Sequence, residues 1–203
     1  MKTEYQKMIS GDLYIAKDNE IATLYKHAIA VCNTINLDCN LSLEEKNKMI
    51  KDLFLKTGNS FFVMPPFRCD YGCHISVGEN FYANYDCIFL DTAPITIGNN
   101  VFLAPRVSLF TAGHPIDKDI RNEQLEYGKP IIIGDDVWIG GGVIVNPGVS
   151  IGSNVVIGSG SVVVNDLPSN TVCAGNPCKV KRKITEEDKL YWEKEKEIYI
   201  RNK

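Results

Sequence analysis

The chain has 203 residues, with 22 basic and 25 acidic side chains and a formal net charge of −3. That length suits one sizeable core with a small appendage, and the near balance of interspersed charge excludes electrostatic capture of nucleic acid. No apolar run approaches the width of a bilayer and MKTEYQKMISGDLY has no hydrophobic signal core, so a cytoplasmic location without membrane contact is expected.

Residues 1–60 read as helical. Ile21, Leu24, Ala28, Val31 and Ile35 fall at helical spacing. Ser42 followed three residues on by Glu45 has the capping-box pattern ahead of Leu43, Met49, Ile50, Leu53 and Phe54. Gly58-Asn59-Ser60 is expected to end that helix. Residues 61–76, with Pro65-Pro66, are expected to form an extended lead-in.

Beyond that point the period changes. Every sixth residue from Ile133 to Val163 is Ile or Val (Ile133, Ile139, Val145, Ile151, Ile157, Val163), and compact side chains recur four residues after the first five (Val137, Val143, Val149, Val155, Ser161). Six suits neither a helix nor a plain alternating strand. It suits a short strand plus a tight turn, repeated around a shared interior. The same stride joins Val77, Ala83 and Phe89, slips by two at Asp91-Thr92-Ala93-Pro94, and continues through Ile97, Leu103 and Leu109. With three hexads per triangular coil, the expected fold is mainly β: a parallel β-helix of about four coils over 77–168. One long inserted loop, 110–131, interrupts it. A polar loop on a rigid scaffold is where a site is expected. Thr185-Glu186-Glu187-Asp188 then caps a short C-terminal helix, with Leu190, Trp192 and Ile198 as its expected apolar contacts. The segments are therefore 1–60 helical, 61–183 β-helical and 184–203 helical.

Seven cysteines are scattered along the chain. Cys69 and Cys73 are four apart without a second pair at ligand spacing, so buried reduced thiols are expected and no metal. Of three histidines, His27 lies in the first helical pattern and His74 precedes the first repeat. The first reads as a solvated helix position and the second as structural. His114 sits between Gly113 and Pro115 in the inserted loop.

With the hexads, the loop TAGHP and the segments LEYGKP, VWIGGG and AGNPCKV, the chain resembles the maltose and galactoside O-acetyltransferases, acyltransferases built on hexapeptide repeats. The resemblance spans nearly the whole sequence. It implies a left-handed winding, a homotrimer with active sites between subunits, and direct acetyl transfer from acetyl-CoA to a sugar hydroxyl. His114 is then the general base, a task suited to imidazole because its ordinary pKa is about 6.5. Asp70, Asn84, Asp91 and Glu126 are the implied acceptor contacts, short polar groups able to hydrogen-bond sugar hydroxyls. Asp91 also lies at the register slip, where turn-holding is an equal expectation. Gly141 is the implied oxyanion donor through its N–H. Trp138, Ser159, Val164, Asn165, Lys179 and Arg182 are the implied coenzyme contacts, the last two for its 3′-phosphate. Glu126 leans towards the maltose type. Against the maltose-type LYDASDPE, this chain reads LYIAKDNE; Asp18 there could reach a neighbour's acceptor site. The other readings are acetylation of a different acceptor (an amino sugar, an antibiotic or serine) and a non-enzymatic β-helical scaffold.

Overall fold

The computed structural model describes residues 1–203. Three helices come first: α1 (Glu4–Ser10), α2 (Asn19–Leu37) and α3 (Leu43–Leu53), with a two-residue strand, β1 (Tyr14–Ile15), after α1. Ser42 accepts from the Glu45 N–H and the Glu45 carboxylate accepts from the Ser42 N–H, the reciprocal cap the sequence predicts. The helix it starts ends at Leu53, short of the glycine at 58. Asp18 caps α2, its Oδ1 accepting from the Glu20 and Ile21 N–H groups at 2.9 and 3.3 Å.

Coiling begins at 61, not 77. The first coil is β2 (Phe61–Val63), β3 (Phe67–Cys69) and β4 (Ile75–Val77); the second is β5 (Phe81–Ala83), β6 (Cys87–Leu90) and β7 (Ile95–Ile97). The third runs β8 (Phe102–Leu103) and β9 (Ser108–Phe110), makes the excursion β10 (Ala112–Gly113), α4 (Lys118–Asn122) and β11 (Leu125–Gly128), and closes with β12 (Ile131–Ile133). The fourth is β13 (Trp138–Ile139), β14 (Ile144–Val145) and β15 (Ser150–Ile151). The fifth is β16 (Val155–Ile157), β17 (Val162–Val163) and a single bridge at Leu167. A sixth opens with β18 (Thr171–Ala174), which β19 (Lys179–Lys183) turns back on, antiparallel. Five coils and the start of a sixth replace the expected four. The difference lies in 61–76, where Val63, Cys69 and Val77 keep the stride with the same two-residue slip that is visible at 91–94.

The strands stack into three parallel faces. The first face is β2-β5-β8-β13-β16-β18, the second β3-β6-β9-β14-β17, the third β4-β7-β12-β15. Inward side chains from all three fill one interior of 35 buried residues, including Phe81, Phe89, Leu103, Leu109, Ile139 and Ile157. Ala28, Cys32, Ile35, Ile50 and Leu53 of α2 and α3 belong to the same cluster, so these helices plug the open first coil. The last helix, α5 (Glu186–Arg201), buries no residue. Leu190, Trp192 and Ile198 are exposed rather than packed on the coils.

Three corners join the faces. At the corner from the third face to the first, Asn80, Asn100, Asp136, Asn154 and Asn170 all take positive φ, between 54° and 60°, which Asn and Asp tolerate best after Gly. Their side chains form rungs: Asn80 Nδ2 donates to Asn100, Asn100 to Asp136 and Asn154 to Asn170, each at 2.9 Å. One residue earlier, the Asn99 N–H donates to Asp135 and the Asp135 N–H to Ser153. The glycines beside them stack so closely that a Cβ on Gly98 would lie 2.8 Å from the Gly134 backbone. This corner is a polar spine that holds the coil spacing. Five cysteines are buried as expected, whereas Cys39 is exposed and Cys73 half-buried.

Candidate active site

The corner from the second face to the third is built differently. It carries both register slips, 70–74 and 91–94, and the whole excursion 111–130. Stacked one above another, these insertions open a cavity of about 320 Å³ whose nine lining residues include Asp70, Tyr71, Thr92, Ala112 and Glu126. Residues Ala16, Ile21, Ala22 and Tyr25 of the N-terminal segment close its other side.

Asp91 organises this corner from beneath. It is 0% exposed, and its carboxylate accepts from the N–H groups of Asp70 (3.0 Å), Tyr71 (2.9 Å) and His74 (3.4 Å). Burial pushes its carboxyl up against those lowering N–H bonds. Asp91 thus holds this turn, and it is not among the residues that line the cavity. With its proton on Nδ1, the buried His74 ring donates to the Asp91 carbonyl at 2.6 Å and accepts from the Tyr5 hydroxyl at 3.1 Å. That is the structural histidine the sequence suggests.

Asp70 does face the cavity. Burial, then the charges of Asp91 and Glu126, push its carboxyl up to about 7. Glu126 is delivered by β11, which pairs with β1 so that Tyr14 lies opposite it. The Tyr14 hydroxyl, on a side chain only 1% exposed, donates to Glu126 Oε2 at 2.8 Å. The same β11 pairs with β10 on its other edge, Gly113 opposite Tyr127. His114 follows β10 directly. Ala112, two residues earlier, lines the cavity, and His114 itself is exposed.

The remaining predicted residues lie elsewhere in the same chain. Asn84, Gly141 and Ser159 occupy the corner from the first face to the second. Asn84 Oδ1 accepts from the Tyr85 N–H at 2.8 Å. At Gly140-Gly141-Gly142, the Gly140 N–H donates to Ile157 and the Gly142 N–H to Pro105, while the Gly141 N–H donates to nothing. The Ser159 N–H above it is equally unpaired. Trp138 points outward from the first face, 55% exposed, between Phe102 and Val156. Val164 and Asn165 sit exposed on the insertion corner of the fifth coil, their N–H groups also unpaired. Lys179 is exposed on β19. Arg182 is not a free cation: its guanidinium makes a bidentate pair with Asp188 at 2.6 and 2.8 Å, which holds the Asp188 carboxyl down at about 2.

A single chain thus brings together Asp70, Glu126 and the His114 strand at one corner, and keeps Asn84, Gly141 and Ser159 at another. The sequence reading missed Tyr14, Tyr25 and Tyr71. Tyr25 had a signal, since it lies one turn after Ile21 on the inward stripe of α2. Tyr14 had none, because its partner is 112 positions away.

A parallel solenoid with this stride and this insertion is a hexapeptide-repeat transferase. The family description "Bacterial transferase hexapeptide (six repeats)" matches residues 130–165, and "Maltose acetyltransferase hexapeptide capping motif" matches residues 7–58. The structure superposes on a maltose O-acetyltransferase from Clostridium difficile 630 with a TM-score of 0.89 and 50% identity, covering 91% of this chain and 98% of that one. It superposes equally, TM-score 0.89 and 37% identity over 93% of this chain and 94% of the other, on a galactoside acetyltransferase in complex with coenzyme A. In sequence it is 44% identical over 156 residues to the galactoside O-acetyltransferase of Escherichia coli (strain K12), covering 77% of each chain. The chain belongs to the maltose and galactoside O-acetyltransferase family. No helix is long and apolar enough to cross a membrane.

Proposed function

We propose that the protein transfers the acetyl group of acetyl-CoA directly to a hydroxyl of a mono- or disaccharide, and that each active site spans two neighbouring copies in a homotrimer. The observation that supports this most is the insertion corner, where a cavity lined by Asp70 and Glu126 opens beside the strand that delivers His114. A hydroxyl is a poor nucleophile until its proton leaves. His114 takes that proton in the transition state, and a positioned base of this kind contributes about 10²–10⁴-fold. Asp70 and Glu126 accept hydrogen bonds from neighbouring hydroxyls and fix which one faces the imidazole. Asp91 and His74 act at one remove, by fixing the turn that presents Asp70.

Acetyl-CoA, when bound, supplies an activated acyl group. The chain has groups that fit it. The unpaired Gly141 N–H is a fixed donor for the acyl oxygen as negative charge grows there. The unpaired N–H groups of Ser159, Val164 and Asn165 offer donors along the last coils. Trp138 forms an apolar wall for a flexible arm, and exposed Lys179 suits a phosphate. Arg182 serves a phosphate only by leaving Asp188.

Because Gly141 and His114 sit on different corners, one chain cannot apply both to the same carbonyl. A cyclic assembly, in which one corner of each copy meets a different corner of the next, joins them. For His114→Ala we expect at least about a hundredfold loss of turnover with the fold retained, the low end for a general base. Thiol release from acetyl-CoA with a sugar panel, alongside a thermal melt, measures both. Retained turnover rejects His114 as the base.

A further inference from the structure

Two thiols meet where the helical segment closes the first coil. The sulfurs of Cys32 on α2 and Cys69 on β3 are 3.8 Å apart, and both residues are buried. A double hydrogen bond beside them sets helix against strand. Asn36 Nδ2 donates to the Phe67 carbonyl at 2.8 Å, and Asn36 Oδ1 accepts from the Phe67 N–H at 2.9 Å. Asn36 lies one turn after Cys32, and Phe67 shares the inward face of β3 with Cys69, so this clamp holds the two sulfurs opposite each other. The thiols are unlike. Burial pushes Cys73 and Cys87 up to about 11. Cys32 is instead held below the usual thiol value, first by the hydrogen bond with the Cys69 thiol, with the charge of Arg68 adding to it. Cys69 is raised, by the same bond and by burial.

We propose that Cys32 and Cys69 are a site of reversible oxidation, closed to a disulfide by a peroxide, and that the closed bond restrains the acceptor cavity. The Cys32 thiolate attacks one oxygen of hydrogen peroxide and breaks the O–O bond, leaving a sulfenic acid on Cys32. The departing hydroxide takes up the proton that Cys32 gave away and becomes water. The Cys69 sulfur then attacks the oxidised sulfur, and its proton leaves with the sulfenic hydroxyl as a second water. Two thiols and one peroxide thus give one disulfide and two waters. Bonded sulfurs stand about 2.05 Å apart, so closure draws the 3.8 Å contact in by about 1.8 Å. Residues of the cavity sit on both sides of it: Asp70 follows Cys69, and Tyr25 precedes Cys32 by two turns of one helix. The bond therefore resets the spacing between two walls of the cavity, while the coenzyme contacts on the fourth and later coils stay in place. Its effect on catalysis rests on the acetyl-transfer reading above; its formation does not.

The test exposes full-length wild type, Cys32→Ala, Cys69→Ala and Cys39→Ser to hydrogen peroxide and then to dithiothreitol. Mass spectrometry of unreduced peptides reads the bond, while thermal melts and initial rates against sugar and acetyl-CoA read its effect. Wild type and Cys39→Ser, which lacks the exposed thiol, are expected to yield the Cys32–Cys69 peptide pair. Their melting midpoint should rise by about 5–10 °C, as for a cross-link that closes a loop of this size. Their kcat/KM for the sugar should fall at least about tenfold, as a displacement of about an ångström at a positioned site produces, with the KM for acetyl-CoA unchanged. Dithiothreitol reverses all of it, and Cys32→Ala and Cys69→Ala show none of it. Treated wild type in which Cys32 and Cys69 remain separate thiols overturns the proposal. A bond that forms without changing the sugar kinetics, or a loss of activity that persists in Cys32→Ala, overturns the restraint on the cavity. Reduced wild type that acetylates no sugar refutes the acetyl-transfer reading, and the peptide masses and melts still decide whether the bond forms.

Discussion

Two corners of the same prism show how a repeat is divided between holding and doing. The corner from the third face to the first repeats one solution coil after coil: a stacked glycine, a side chain that caps the N–H below, and an Asn or Asp at positive φ that bonds its neighbour. The corner from the second face to the third changes along the stack, from a two-residue slip in the first two coils to a long excursion in the third and a plain hexad in the fourth. Its turns span 70–74, 91–94 and 111–130, and its polar groups are partly unmatched, with one carboxyl raised to about 7. Regularity at the first corner pairs many of its polar groups with one another within the stack. Irregularity at the second leaves space and unspent hydrogen-bonding capacity, which is what a ligand needs.

The corner from the first face to the second permits the most severe intervention. Gly141 occupies the place that Pro105 holds one coil earlier, and the next residues, Gly142 and Arg106, share positive φ of 68° and 62°. Gly141→Pro therefore fits the backbone and deletes a single unpaired N–H. Turnover should fall about 10²–10³-fold, as for loss of one oxyanion donor, while the thermal midpoint barely moves; a fall in stability with turnover intact would remove Gly141 from the chemistry. Asp91→Ala orphans the buried N–H groups that order the 70–74 turn. It should cost about 2–4 kcal/mol by urea unfolding and impair transfer as well, which a merely local turn would not.

Asn100→Ala sharpens the contrast from the regular corner. It places alanine at φ 55° and breaks two rungs, so about 1–2 kcal/mol of stability is expected to go, with kcat/KM within twofold of wild type. Smallest is a pH effect at Asp70. Its carboxyl stands near 7 in the folded protein against about 3.9 when unfolded. The folded state therefore holds an extra proton between those values, and stability declines as pH rises through that window, levelling off above it. Asp70→Asn should melt a few degrees above wild type at pH 8 and close to it at pH 4. Equal differences at both pH values would show that Asp70 is not raised.

Much of this architecture is legible because a six-residue stride leaves one aliphatic per face, and Ile133 through Val163 announce it without a gap. The first coil escaped notice because Cys69 and Val77 are eight apart, which looks like a break until the identical slip at 91–94 is read as a property of that corner. Strand β1 has two residues and a partner more than a hundred positions away, so no local pattern could reveal it. The resemblance to sugar acetyltransferases brought the polar residues to attention, but sequence order cannot say that Asp91 lies under the cavity and Asp70 on its wall. Nor can it say that Arg182 is already paired with Asp188, since that bond depends on the turn between β19 and α5.

The most direct measurement is complementation between two inactive variants. His114→Ala and Gly141→Pro chains, co-refolded in equal amounts, form mixed oligomers in which each site draws its imidazole from one copy and its acyl-oxygen donor from another. About a quarter of the sites then receive both native groups, and about a quarter of wild-type turnover should return. Mixtures as inactive as their parents would mean that both groups must belong to one chain, contradicting a site that spans the junction between copies.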